Sequence, residues 1–551
     1  MLPEEGLALI PFTSGYMFNA LTTAQTTRPS FVRLIDINLL NGGSLKLRGR
    51  LEHNFEPRRA ALVNGILTSI SQKELITANI DDRDKPAVLA EVSLAWPVNQ
   101  VIHSGDFILQ ISDGSSAVWS GETAVVRIAK NSTENSILAD VDLGEGTVQD
   151  AVLRNSKLYV LRRNWGPYIP MARFVRRIGR VAPNASEPEL ALDIYDASAL
   201  PALPRLGSVA VPMTNADTNC TVSSILWPTE TTAVVITQAR PWYEYWYPMI
   251  SVIKTADIAM PAPGKLSLSA LTSAPQTDSR KPSLRAAVIR PFDVTNPNAP
   301  LALPVMPLPA TSSTVITASG AGDGLVIFGY GEAPSPWRPM GWPSELEQPL
   351  ACLNRVGIVN LSIPRRPVLN APVVLPGKLF AVTDISRSGF LAFTESISSE
   401  LPPPVTSQKT PVPAVSTTPT RRVQASLVAD SQVSLIASVP VGLDSRLTAQ
   451  GRNLYYSAAD KIERFTLTDA ASFTSTGSAK IDWTPLEIQV RGTSLVGATG
   501  KQLMRVWWPG LEGVVENFKA SQWFELTRLT LAPDGSLFVP MGDYGVERMN
   551  N

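Results

Sequence analysis

Histidine and cysteine are nearly missing from this chain. There are two of each, His53, His103, Cys220 and Cys352, among 551 residues. A structural zinc site needs four nitrogen or sulfur ligands at short spacings, and these four lie far apart. No metal or cofactor is therefore expected. Two cysteines exclude a disulfide-rich scaffold; they pair if the fold joins them and are otherwise buried thiols. An excess of charge of either sign is missing too, since Lys+Arg and Asp+Glu both total 48. A neutral chain exerts no general pull on nucleic acid or an anionic membrane, so no nucleic-acid partner is expected. No run reaches the roughly 20 apolar residues of a membrane-spanning helix. The opening Met1-Leu2-Pro3-Glu4-Glu5-Gly6 carries neither the basic nor the apolar segment of a secretion signal. Convincing amphipathic helices are also missing. No nucleophile elbow, Walker loop or dinucleotide fingerprint is present, and no catalytic residue is assigned.

What is there is apolar, turn-rich and repetitive. Hydrophobic residues make up 44% and charged residues 17%, enough for a real core. Proline (46) and glycine (35) suit a fold built of turns and edges. Around residue 290, Val288, Arg290 and Phe292 alternate at the period of a half-buried strand. Asp293, Asn296 and Pro297 then force a turn. An apolar run follows, and Gly322-Asp323-Gly324 leads into Leu325-Val326-Ile327-Phe328. The same order recurs from Asn79 to Leu109, from Asp193 to Ile236 and from Val356 to Phe393. Weaker copies of the strong strand stand at Ile66-Leu67, Leu158-Val160, Leu454-Tyr456, Leu495-Val496 and Leu537-Val539. Units of roughly 40 residues or more, each with several short strands, are the signature of a β-propeller. The expectation is an all-β chain, one large β-propeller over residues 1–551, with eight blades favoured within a range of seven to ten.

Four stretches interrupt the rhythm. Residues 162–190 hold a run of arginines, Arg162, Arg163, Arg173, Arg176, Arg177 and Arg180, read as a solvated loop face. Residues 240–248 carry Trp242, Tyr243, Tyr245, Trp246 and Tyr247, and residues 333–350 carry Trp337, Arg338 and Trp342. Flat rings with one polar edge bury much area at low entropy cost, so these eight are the candidate binding residues. Their alternative role is to pack over a blade edge and cover it. Residues 397–424 are rich in Pro, Ser and Thr and read as a loop, not a domain boundary, because strands resume after them. His53 and His103 both read as ordinary polar surface residues. Asp81-Asp82-Arg83-Asp84 and Asp140-Val141-Asp142 match no calcium-loop spacing and read as turn caps or solvated edges.

Several combinations resemble a known group. They are Leu34-Ile35-Asp36, Phe55-Glu56-Pro57-Arg58-Arg59, Gly377 to Thr383 with Gly389-Phe390-Leu391, and Gly542-Asp543-Tyr544-Gly545-Val546-Glu547. Together they resemble the bacterial secreted proteins whose β-propeller domain is distantly related to WD-type repeats. The resemblance covers nearly the whole chain, through structural turns and not through chemistry. It implies an extracellular or envelope location and no established activity, so no functional residues carry over. The expected function is a non-enzymatic module that binds or scaffolds a protein or glycan partner. The alternative is a propeller hydrolase or lyase acting on extracellular polysaccharide through its central channel.

Overall fold

The computed structural model describes residues 5–13, 30–38, 43–53, 57–71, 74–94, 96–114, 123–144, 146–164, 189–213, 220–239, 287–308, 314–332, 354–398, 420–522, 524–542 and 544–550. Among them the protein is all-β, with no α-helix. The strands form ten small antiparallel sheets in chain order, each a meander of consecutive strands. The first and tenth sheets have three strands and the others have four or five. No described helix is long and apolar enough to cross a membrane.

The repeat read from the sequence is the repeat of the sheets. Each strong strand named above is the second strand of its sheet: Ile66–Ser71, Phe107–Ser112, Lys157–Asn164, Thr232–Ala239, Leu325–Glu332, Gly389–Ser398, Asn453–Ser457, Ser494–Thr499 and Leu537–Pro540. A strand flanked on both sides and covered on both faces needs a continuous apolar run and not an alternating one. Thus Leu495, Val496, Leu537, Phe538 and Val539 are all fully buried. The polar residues of the repeat end the third strand. The side chains of Asn79, Asp196, Asp293 and Asn360 accept from the backbone N–H two residues on, at 2.7, 2.9, 3.0 and 2.9 Å. These Asx turns stop the strand and reverse the chain. The tight hairpins Asn64-Gly65 and Asp323-Gly324 have both central residues at positive φ, the turn whose twist matches two antiparallel strands.

In the fifth and sixth sheets the fourth strand is split into two short pieces, Leu301–Ala302 with Met306–Pro307 and Val368–Leu369 with Val373–Val374. Pro304 and Pro372 lie in the gaps, where a residue without an N–H cannot extend the ladder.

The chain divides into two compact units. One holds residues 1–206, 485–507 and 515–551; the other holds residues 207–484 and 508–514. In the first unit, one apolar cluster joins the first and second sheets through Leu34, Leu51, Leu67 and Ile76. A second joins the third and fourth through Leu109, Val126, Leu158 and Tyr195. The tenth sheet packs on the third, where Phe538 and Val546 meet Val98, Val101 and Ile108. A backbone bridge between Val98 and Gly542 reinforces that packing. Arg548 adds to it by donating to the Asn131 carbonyl at 3.0 Å. In the second unit the cores run from sheet to sheet in the same way, with Phe328 between the fifth and sixth and Phe393 between the seventh and eighth.

Glycine is required where one strand passes beneath a ring. A Cβ built on Gly357 would stand 2.2 Å from the Phe328 Cζ. Gly357→Ala is expected to destabilise the second unit by about 1–3 kcal/mol, the usual cost of overpacking a filled core. A thermal melt checks this, and an unchanged melt would mean that the Phe328 ring can move aside.

The four interrupting stretches share one place. Asn164 pairs with Glu189, Gln238 with Ala287, Tyr330 with Arg355 and Ser398 with Thr420. Each stretch therefore joins the second and third strands of one sheet. Of residues 397–424, the ends 397–398 and 420–424 lie in paired strands, and the remainder lies outside the described residues.

Candidate functional site

All eight aromatic and arginine candidates, Trp242, Tyr243, Tyr245, Trp246, Tyr247, Trp337, Arg338 and Trp342, lie outside the described residues, as does Cys352. Among the described residues, two polar groupings stand out.

The first corrects the expectation for His53. It is not a surface residue; its side chain is fully buried. The third strand of the first sheet, Ser44–His53, points Leu51 and His53 to one face, and Leu51 is buried there. His53 Nδ1 lies 2.9 Å from Glu74 Oε1 and Nε2 lies 2.7 Å from Ser69 Oγ, both on the second sheet. An ionised carboxylate only accepts, so the Nδ1 proton is assigned to that bond and Nε2 meets the hydroxyl. Serine, imidazole and carboxylate in line is the arrangement that activates a nucleophile. Here it cannot receive a substrate, because Ser69 has no exposed surface and Glu74 is 3% exposed. The line fastens the first sheet to the second. His103 is different: it is partly exposed, and the Asn131 amide donates to its Nε2 at 3.0 Å.

The second corrects the expectation for Arg162 and Arg163. They belong to the strand Lys157–Asn164, not to a solvated loop, and Arg163 is almost fully buried. Beside them, on the strand Glu189–Asp196, Asp193 is completely buried among Leu192, Ile194 and Tyr195. Arg162 Nε donates to Asp193 Oδ2, and Arg205 Nη2 donates to Asp193 Oδ1. A buried carboxylate is tolerable only when so paired. Burial, and next the Asp193 charge, push the Tyr195 hydroxyl up to about 12, so it remains a neutral phenol at physiological pH.

Arg162, Tyr195 and Arg205 line an open cleft of about 540 Å³ between residues 141–144 and residues 202–205, with Asp193 buried beneath it. The exposed Asp142 stands at its edge. Its Oδ1 accepts from the Gly144 N–H at 2.8 Å and the Thr123 hydroxyl at 3.2 Å. The arrangement can hold a small polar ligand by hydrogen bonds.

The sequence carries a signal for this cluster. An aspartate inside Leu190-Ala191-Leu192-Asp193-Ile194 must find a cation once the strand is buried. What sequence could not supply was that Arg162 and Arg205 are the ones. The other acidic runs are turn caps: Asp81 N–H donates to Asn79, Asp84 N–H donates to Asp82 at 2.9 Å, and Asp84 pairs with Arg48. Among the described residues no cluster of three His, Cys, Asp or Glu is placed to hold a metal. In comparisons with known proteins, no family model and no curated protein matches this chain.

Proposed function

We propose that this chain is a single eight-bladed β-propeller that acts as a non-enzymatic binding module for a protein or glycan partner, in an extracellular or envelope setting. The ring is supported by consecutive meanders with buried second strands and by the packing of the tenth sheet on the third. The reading takes the third to the tenth of the ten sheets as the blades, which makes eight. The setting rests on the family resemblance alone.

The observation that carries the binding role is the shared position of the interrupting stretches. Long insertions that join the second and third strands leave each of their four sheets at the same end, and blades stacked around an axis would gather them on one face. The aromatic candidates fall within two of those stretches. Binding is preferred to catalysis because the Ser69–His53–Glu74 line is closed to substrate.

The test is a glycan array and a lysate pull-down with the intact protein and with Trp242→Ala, Tyr245→Ala and Trp246→Ala combined. The expected result is a partner captured by the intact protein, released unaltered in mass, and lost by a variant whose melting temperature is unchanged. Capture that survives the triple substitution, or a captured glycan that is cleaved, would overturn this reading.

A further inference from the structure

The cleft of the fourth sheet has hydrogen-bonding capacity that the protein does not use. Arg205 donates one N–H to Asp193 and makes no other hydrogen bond or ion pair among the described residues. A guanidinium carries five such donors, so four remain. The side chain is 48% exposed, so these donors are reachable. The buried Asp193 holds this guanidinium in one place, which lowers the ordering cost of a ligand that meets it. Asp142 is the counterpart: both its contacts fall on Oδ1, and Oδ2 accepts from nothing among the described residues. Unused donors and an unused acceptor thus border one cleft.

The charges decide what fits. Arg162 and Arg205 are balanced by Asp193 and Asp142, so the cleft has no net charge. An anion drawn to Arg205 meets Asp142, and a cation drawn to Asp142 meets Arg205. A hydroxyl both donates and accepts, so a neutral ligand with neighbouring hydroxyls satisfies both groups at once. Val141, Ala202 and Pro204 supply accessible apolar lining for the C–H face of a ring. The volume falls in the range of small-ligand sites, roughly 300–1,000 Å³.

We propose that this cleft is a binding site for a neutral saccharide, with Arg205 donating to one ring hydroxyl and Asp142 accepting from its neighbour. The proposed contacts use none of the residues of the aromatic stretches.

Calorimetric titration of the full chain tests it, with neutral hexose disaccharides as probes and a hexuronate and inorganic phosphate beside them. The variants are Asp142→Asn, whose amide oxygen still caps Gly144, and Arg205→Lys, which keeps a cation on Asp193. A neutral disaccharide is expected to bind, and each variant is expected to weaken it roughly tenfold or more, as losing a hydrogen bond to a charged group does. Melting temperatures are expected to hold, and the Trp242, Tyr245 and Trp246 variant is expected to bind the disaccharide normally. Binding of only the hexuronate or phosphate would overturn the proposal. So would saccharide binding that ignores both variants, or no saccharide binding at all; a partner still captured through the aromatic stretches would leave the function proposed above standing.

Discussion

Asp193→Ala is expected to cost about 3–5 kcal/mol, the usual penalty for removing one partner of a buried ion cluster. The carboxylate is fully buried and takes one bond from each of two arginines. Removing it takes the buried counter-charge from the Arg162 guanidinium, which is only 14% exposed, and leaves that group beside a second positive charge. Because the chain forms two units, an unfolding midpoint registers a loss of stability but is a readout that does not say which strands lost it. Hydrogen exchange read by peptide is the better one. Peptides covering the strands Lys157–Asn164 and Glu189–Asp196 are expected to lose protection, while those of the fifth to eighth sheets serve as a control. A combined Asp193→Leu, Arg162→Met and Arg205→Met variant is expected to recover most of the loss, since apolar replacement of a whole buried cluster is close to neutral. If Asp193→Ala left the exchange of those strands unchanged, the arginines would be shown to reach water and the cluster would hold little.

The second large effect concerns His53. Glu74→Leu is expected to cost about 2–3 kcal/mol, because it leaves the buried imidazole N–H without its acceptor. His53→Leu made together with Glu74→Leu is expected to cost less than the two single losses added, by about 1 kcal/mol or more. Exchange rates in the first and second sheets give all three values. Strict additivity would mean that the two side chains do not act as a pair. Ser69→Ala is expected to leave partner capture intact, as a clamp requires and a nucleophile would not.

Much of the fold was legible because its punctuation is local. Asn79, Asp196, Asp293 and Asn360 accept from their own backbone two residues on, so the turn is written within three residues. The strong strands were legible for a different reason. A strand flanked and covered on all sides must be apolar throughout, and Leu325-Val326-Ile327-Phe328 shows that with no reference to its neighbours. The polar groupings were misread for the converse reason. His53 and Arg162 are polar by type, and polar residues are mostly exposed, so composition argues for the surface. Only the partners overturn that argument, and they stand 21 residues away for His53 and Glu74, and 31 for Arg162 and Asp193. The alternation of Leu51 with His53 did mark the face, but it could not name Ser69 and Glu74 as the groups waiting there.

By itself, then, the sequence determined that this protein is built of β-strands, where each repeat turns and which strand of each sheet is buried, because those properties depend on neighbours within a few residues. It also determined where long stretches interrupt the repeat. The tertiary structure alone decided that those stretches all join the second and third strands of their sheets, that a serine, a histidine and a glutamate close on one another in a sealed core, and that two arginines held by a buried aspartate border one cleft with a second, exposed aspartate. Hydrogen bonds and ion pairs reach only a few ångströms, and which distant residues come within that reach is set by the pairing and packing of whole sheets.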